Sequence, residues 1–164
     1  MRIYPAGRYS RRDELRIFAN DLRNIGHTIT SRWLNTNFRD DNPNESSAAP
    51  LEERGKYALI DMLDILSASC VINFTEAPGT VGGARGGRHV ELGMAIAWQK
   101  RIIVVGHREN IFHHLVAIEF YADHQEVLTK LIEEIQEEHR IIFGDPLAPK
   151  LMGVINVKNL KTDV

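Results

Sequence analysis

Two hydrophobic periods alternate along this chain. At 3–6 a short apolar stretch ends at Gly7 and predicts a first strand. Over 11–25, Leu15, Phe18, Ala19, Leu22 and Ile25 recur at the i, i+3, i+4, i+7 spacing of an amphipathic helix. Ser10 stands as its N-cap with Asp13 three positions on, close to a capping box, and Gly26 stops it. Thr28, Ile29 and Thr30 alternate within 27–32 as a second strand. Helical spacing returns over 51–66, with Ala58, Leu59, Met62, Leu63 and Leu66 on one face. The continuous apolar runs at 70–74 and 101–105 predict buried strands. Between them, 89–98 reads as a helix. A short strand at 118–121 precedes a helix over 123–139, capped by Asp123, with Val127, Leu128, Leu131, Ile132 and Ile135 inward.

The order β-α-β-α-β-α-β-(short α)-β-α predicts an α/β fold: a doubly wound parallel five-stranded sheet, Rossmann-like, with helices on both faces. Ligands of such sheets bind beyond the carboxyl ends of the strands. The loops after Ala6, Arg32, Phe74 and Val105 therefore share one rim. Residues 1–145 are expected to form a single domain. Within it, 35–50 is rich in Asn, Asp, Ser and Pro and reads as a polar loop or lid. Residues 146–164 carry Pro146, Pro149 and Gly153 without clear periodicity and read as a C-terminal arm that could cross a partner subunit.

Composition narrows the class. Among 164 residues, 20 Lys+Arg face 22 Asp+Glu, a formal charge of −2 that argues against a sequence-independent binder of nucleic-acid polymers. The single cysteine excludes an internal disulfide scaffold and a Cys-rich zinc site. No apolar run approaches the roughly 20 residues of a membrane span, and the N-terminal residues show no signal-peptide core. A soluble, cytoplasmic enzyme or binding domain is expected.

The segment Gly86-Gly87-Arg88-His89-Val90-Glu91 leads from a glycine-rich loop (76–88) into a helix. Glycines allow close approach of a ligand, and a helix N-terminus favours anions. Glu91, expected in the first turn, would stay ionised and suit a nucleophile; it could equally be an ordinary stabilising first-turn Glu. Gly93 has no helical rationale and suggests close packing against the backbone. Asp61 and Asp64 share a helix face, either as a solvated edge or as carboxylates pointing over the rim into a ligand site. In Tyr4-Pro5-Ala6-Gly7-Arg8-Tyr9-Ser10-Arg11-Arg12, the small Ala6 and Gly7 would let a ligand lie on the backbone. Ser10, Arg11 and Arg12 could hold an anion such as phosphate, or form a basic solvated turn. His89 and Glu91 form a His-x-Glu pair, but the Pro-Cys-x-x-Cys of a zinc deaminase is missing. His113 and His114 are adjacent and point apart, a weak metal pair. P-loop, dinucleotide and serine-hydrolase motifs are also missing.

Taken together, these residues resemble the nucleoside 2-deoxyribosyltransferase family and its 2′-deoxynucleoside 5′-monophosphate N-glycosidase relatives, over roughly residues 3–140. Three places carry the likeness: Tyr4-Pro5-Ala6-Gly7; Asp61, nine residues before Cys70; and Gly87-Arg88-His89-Val90-Glu91-Leu92-Gly93-Met94-Ala95 followed by Lys100-Arg101, the most specific. The resemblance implies a flavodoxin-like fold and a retaining mechanism with no metal or cofactor. Glu91 would attack C1′ of the deoxyribosyl group, Asp61 would assist protonation of the leaving base, and Tyr4 would orient Glu91. The glycosyl-enzyme would pass to another base or to water. Substrate contacts are expected from Gly7, Arg8, Tyr9, Ser10, Arg12, Arg32, Asp64, Gly86, Gly87, Arg88 and His89. The second Asp common in the family's pre-nucleophile loop is absent, and Glu76 is the only acid there. Arg85 and Arg88 lean toward a phosphorylated substrate. A homodimer or larger homo-oligomer with a shared site is implied, with Asn110, His113 or His114 reaching a neighbour's pocket. A non-catalytic nucleotide sensor and a related ribonucleotide or NAD N-glycosidase are the alternatives.

Overall fold

The computed structural model describes residues 1–35, 51–80 and 86–144. Most of the polar loop or lid, five residues of the glycine-rich segment (81–85) and the C-terminal arm lie outside the described residues.

Five strands form one parallel sheet: β1 (Arg2–Ala6), β2 (Thr28–Ile29), β3 (Cys70–Phe74), β4 (Arg101–Val105) and β5 (Ile118–Tyr121). Their order is β2-β1-β3-β4-β5, the flavodoxin-like doubly wound arrangement. The chain starts in the middle, adds β2 on one side, then crosses to β3 on the other. The gap between β1 and β3 at their carboxyl ends is the topological switch point, where such folds form a crevice.

The pleat sorts the strand residues onto two faces. Ile3, Cys70, Ile72, Phe74, Ile103 and Val105 pack with Leu15, Phe18 and Leu22 of α1 (Arg12–Asn24) and Val127, Leu128 and Leu131 of α4 (His124–Phe143). Tyr4, Ala6, Val71, Ile102 and Val104 pack with Ile65 of α2 (Leu51–Ser67) and Leu92 and Ala95 of α3 (Gly87–Ala97). Both faces are covered, so the strands read as continuous apolar runs. At the amino ends of the strands, Arg101 joins Glu119 (2.6 Å) and Glu134 (2.7 Å), tying β4 to β5 and α4. Among the described residues no helix is long and apolar enough to cross a membrane.

Several sequence expectations change. The second strand is two residues long. Beyond it Ser31 donates to the Pro5 carbonyl (3.0 Å), and the chain turns into a 3₁₀ segment, Arg32–Asn35. Ser10 does not cap α1. It lies exposed in a 3₁₀ turn, Tyr9–Arg11, and the cap position falls to Arg11 with no side-chain cap bond. Asp123 caps α4 as expected, accepting from the amides of Gln125 and Glu126, but the helix runs on to Phe143 and ends at Gly144, φ 75°. The largest departure is α2. Its apolar face, Leu59, Met62, Leu63 and Leu66, stands 36–51% exposed, while Asp64, Ile65 and Ala68 are buried and Asp61 is half-buried. The helix turns its carboxylates toward the sheet because Asp64 is captured there by Arg32.

Candidate active site

Tyr4 lies on β1 with its ring wholly buried under α2 and α3. Its hydroxyl donates to Oε1 of Glu91 on α3 at 2.6 Å. Burial, then the charges of Glu91 and Asp61, raises the Tyr4 pKa well above that of a free phenol, so it remains a donor. Glu91 sits in the second turn of α3, because the helix starts at Gly87 rather than His89. The expectation of a first-turn, fully ionised carboxylate is therefore corrected. Burial pushes its pKa up to about 7; the Tyr4 bond opposes this, Asp61 adds to it and Arg88 opposes it. Asp61 faces the same crevice from α2. Its pKa is pushed up to about 6 by burial and by Asp64, against the pull of Arg32. Two carboxyl groups that exchange protons near neutrality thus flank one buried tyrosine at the switch point.

Asp64 is not a solvated edge. It is 5% exposed and accepts from the Arg32 backbone amide (2.8 Å) and from Arg32 Nε (2.7 Å). This ion pair pins the 3₁₀ segment after β2 against α2. It buries the Asp64 carboxylate against Arg32, while over half of the Arg32 side chain stays exposed. Trp33 follows, with its indole N–H on the Pro5 carbonyl (3.2 Å) and its ring 6.3 Å from that of Tyr9. Arg12 lies 4.8 Å over the Tyr9 ring. Trp33 was not singled out in the sequence, where a lone aromatic after a short strand looks like core.

The turn after β1 is built differently from expectation. A Cβ on Gly7 would meet Leu15 Cδ1 at 2.6 Å, so a side chain there would push that leucine end aside in the core. Arg11 is held by Glu14 (2.6 Å) and the Thr75 carbonyl (3.0 Å), and Arg8 and Arg11 flank Glu76 at 3.7 and 3.6 Å. Gly86 adopts φ 79°, a left-handed N-cap that aims the first turn of α3 at the rim, and Gly87 is exposed there. Gly93 is exposed with nothing within 4 Å of an added Cβ, so no part of the described chain packs on it.

Arg88 is 7% exposed, and its guanidinium is bound by Glu109 at 2.5 and 3.2 Å. Glu109, in the loop after β4, escaped the sequence reading. The rim rule places that loop at the site, but nothing local marks one acid in it. His113 is wholly buried and His114 exposed, so the two do point apart. Burial keeps His113 inside its own chain, where Asn110 lies 3.3 Å from its Nε2 and 3.4 Å from His89 Nδ1. His89, Glu109 and His113 offer atoms within 4.8 Å of one another, a spacing open to a metal ion. Their bonding fits one poorly. The Glu109 amide donates to His113 Nδ1 (3.1 Å), which leaves the neutral ring its proton on Nε2 and no free lone pair. The Glu109 carboxylate is already shared with Arg88.

The Tyr4 hydroxyl and the Glu91 carboxyl meet near the β1/β3 switch point of a flavodoxin-like sheet, with Asp61 close enough to act on both through its charge. No family profile matches the sequence, and no curated protein does. Among solved structures, the chain is similar to the CMP N-glycosidase BcmB of Clostridium botulinum, with a TM-score of 0.51 and 20% identity over 82% of this chain and 99% of that one. That likeness shows the shared fold.

Proposed function

We propose that this protein is an N-glycosidase of small nucleotides or nucleosides, working through a covalent glycosyl–Glu91 intermediate. The observation that carries the proposal is the 2.6 Å bond from the Tyr4 hydroxyl to Glu91, with Asp61 close enough in charge to raise both their pKa values. In the first half-reaction a Glu91 oxygen bonds to C1′ as the C1′–N bond breaks. The electron pair leaves with the base, which takes its proton from Asp61. In the second, water attacks C1′, gives a proton back to Asp61 and frees Glu91; a second base can replace water. A carboxylate below the sugar suits the oxocarbenium-like transition state. The Tyr4 bond holds that carboxylate in one orientation and leaves its second oxygen to attack.

A nucleotide substrate is supported by BcmB, whose name gives CMP as what it cleaves. That name also favours a ribose reading beside the 2-deoxyribose expected from the family resemblance. Chromatographic base release from deoxynucleosides, their 5′-monophosphates and CMP, with and without a second free base, tests this. Free base without an acceptor means hydrolysis; product only with an acceptor means transfer. No base from any of them overturns the proposal.

The proposal includes self-association. Leu59, Leu63 and Leu66 of α2 are 45–51% exposed on one helix face, beside the 62% exposed Val90 on α3. Such a contiguous apolar face is the kind that oligomers bury. Leu63→Lys should shift the protein from oligomer to monomer in light scattering coupled to size exclusion. A wild-type protein already monomeric at micromolar concentration would refute the association.

A further inference from the structure

Glu109 joins three separate pieces of the rim. Its carboxylate accepts from Arg88 Nη2 (2.5 Å) and Nε (3.2 Å) in α3, and from the Glu76 backbone amide (2.8 Å) just past β3. Its own amide donates to His113 in the 3₁₀ turn Ile111–His114 (3.1 Å). His89 Nε2 lies 3.9 Å from the same carboxylate. A guanidinium as buried as that of Arg88 needs a counter-ion, and a two-pronged carboxylate fixes its direction as well as its charge. Arg88 precedes Glu91 by three residues, so the two lie on neighbouring turns of one helix face. Fixing Arg88 fixes the rotation of the turn that presents Glu91 to Tyr4.

We propose that Glu109 is a positioning residue for Glu91: by clamping Arg88 and offsetting part of its charge, it sets from the β4 loop both the orientation of that turn and the electric field across it. The inference rests on reading Glu91 as the nucleophile. The groups that act on Glu91 are Tyr4 from β1, Asp61 from α2 and Arg88 from α3. Asp64, also on α2, is paired with Arg32. Of the three that act on Glu91, Arg88 is the cation, and Glu109 is the residue that offsets it.

The test is a carbon-13 NMR titration of the Glu91 carboxyl, its resonance assigned by its loss in Glu91→Gln, in wild type, Glu109→Gln and Glu109→Asp. Removing one negative charge while Arg88 stays in place should lower the Glu91 midpoint on the order of one pH unit. Glu109→Asp should restore most of that shift. In base release the acid limb should move down by the same amount, and kcat should fall more than KM rises. An unchanged Glu91 midpoint in Glu109→Gln overturns the proposal. Should that variant not fold, the pair Arg88→Met with Glu109→Met carries the test, since it removes both charges together. Its midpoint should lie at or above wild type, because the pull of Arg88 on Glu91 goes with it, and a fall of about one unit would overturn the proposal. If wild type releases no base at any pH, the glycosidase reading fails, and the NMR midpoint still decides the role of Glu109.

Discussion

Glu91→Gln should release base about a thousandfold more slowly than wild type, or slower still. The substitution keeps the shape of the side chain and an oxygen that accepts from the Tyr4 hydroxyl, so the pocket survives. What it removes is the anion that bonds to C1′, and an amide oxygen is a poor replacement. The thermal behaviour should separate this loss from unfolding. The Glu91 pKa is raised in the folded state, so its contribution to stability is full below the unfolded value and is lost as pH rises through about 7. The neutral Gln escapes that loss. The variant should therefore melt higher than wild type at about pH 8 and close to it below about pH 4.5, the usual range of a free Glu. A Gln protein that cleaves at the wild-type rate would remove Glu91 from the chemistry.

Asp61→Asn should cost about a hundredfold or more and change the shape of the pH profile. Glu91 and Asp61 face each other with pKa values of about 7 and about 6, so they titrate as a pair. The productive form holds one proton between them in the less populated arrangement, Glu91 ionised to attack and Asp61 protonated to give, since the higher pKa of Glu91 keeps the shared proton mainly there. In wild type, kcat/KM should peak between about 6 and about 7 and fall on both sides, by about tenfold per pH unit far from the peak. Asn has no proton to give, so the alkaline limb should vanish. The acid limb should stay near its wild-type position or rise slightly, because on that limb Asp61 is already protonated and its charge does not act on Glu91. A bell retained in Asp61→Asn would assign the alkaline limb to another group. Bases that leave easily without protonation should suffer least from the substitution.

Much of the frame was legible because it depends on local period. The continuous runs at 70–74 and 101–105 are strands at those bounds, since a strand covered on both faces has no polar side to interrupt it. The helix around Leu15, Phe18 and Leu22 packs those residues for the same kind of reason. The alternation of elements then leaves a doubly wound parallel sheet, and its topology sets α2 of Asp61 and α3 of Glu91 on the face where Tyr4 of β1 points.

What only the tertiary structure decided are quantities that depend on partners far away in the chain. The face α2 turns to the sheet could not be taken from its apolar stripe, because the buried face is instead the one carrying Ile65, Ala68 and Asp64, whose partner Arg32 is 32 residues away. The arginines that suggest a phosphate site in sequence are, for Arg11 and Arg88, already held by Glu14 and Glu109. The protonation of Glu91 reversed for a related reason. A helix N-terminus lowers a carboxyl pKa within its first turn, whereas burial beside a second carboxyl raises it, and burial is set by the whole fold. The sequence alone put forward Tyr4, Asp61 and Glu91 as candidates for chemistry and set the order of the elements that carry them. Their charge, their partners and their accessibility came from long-range packing, because those properties are set by neighbours that no local spacing encodes.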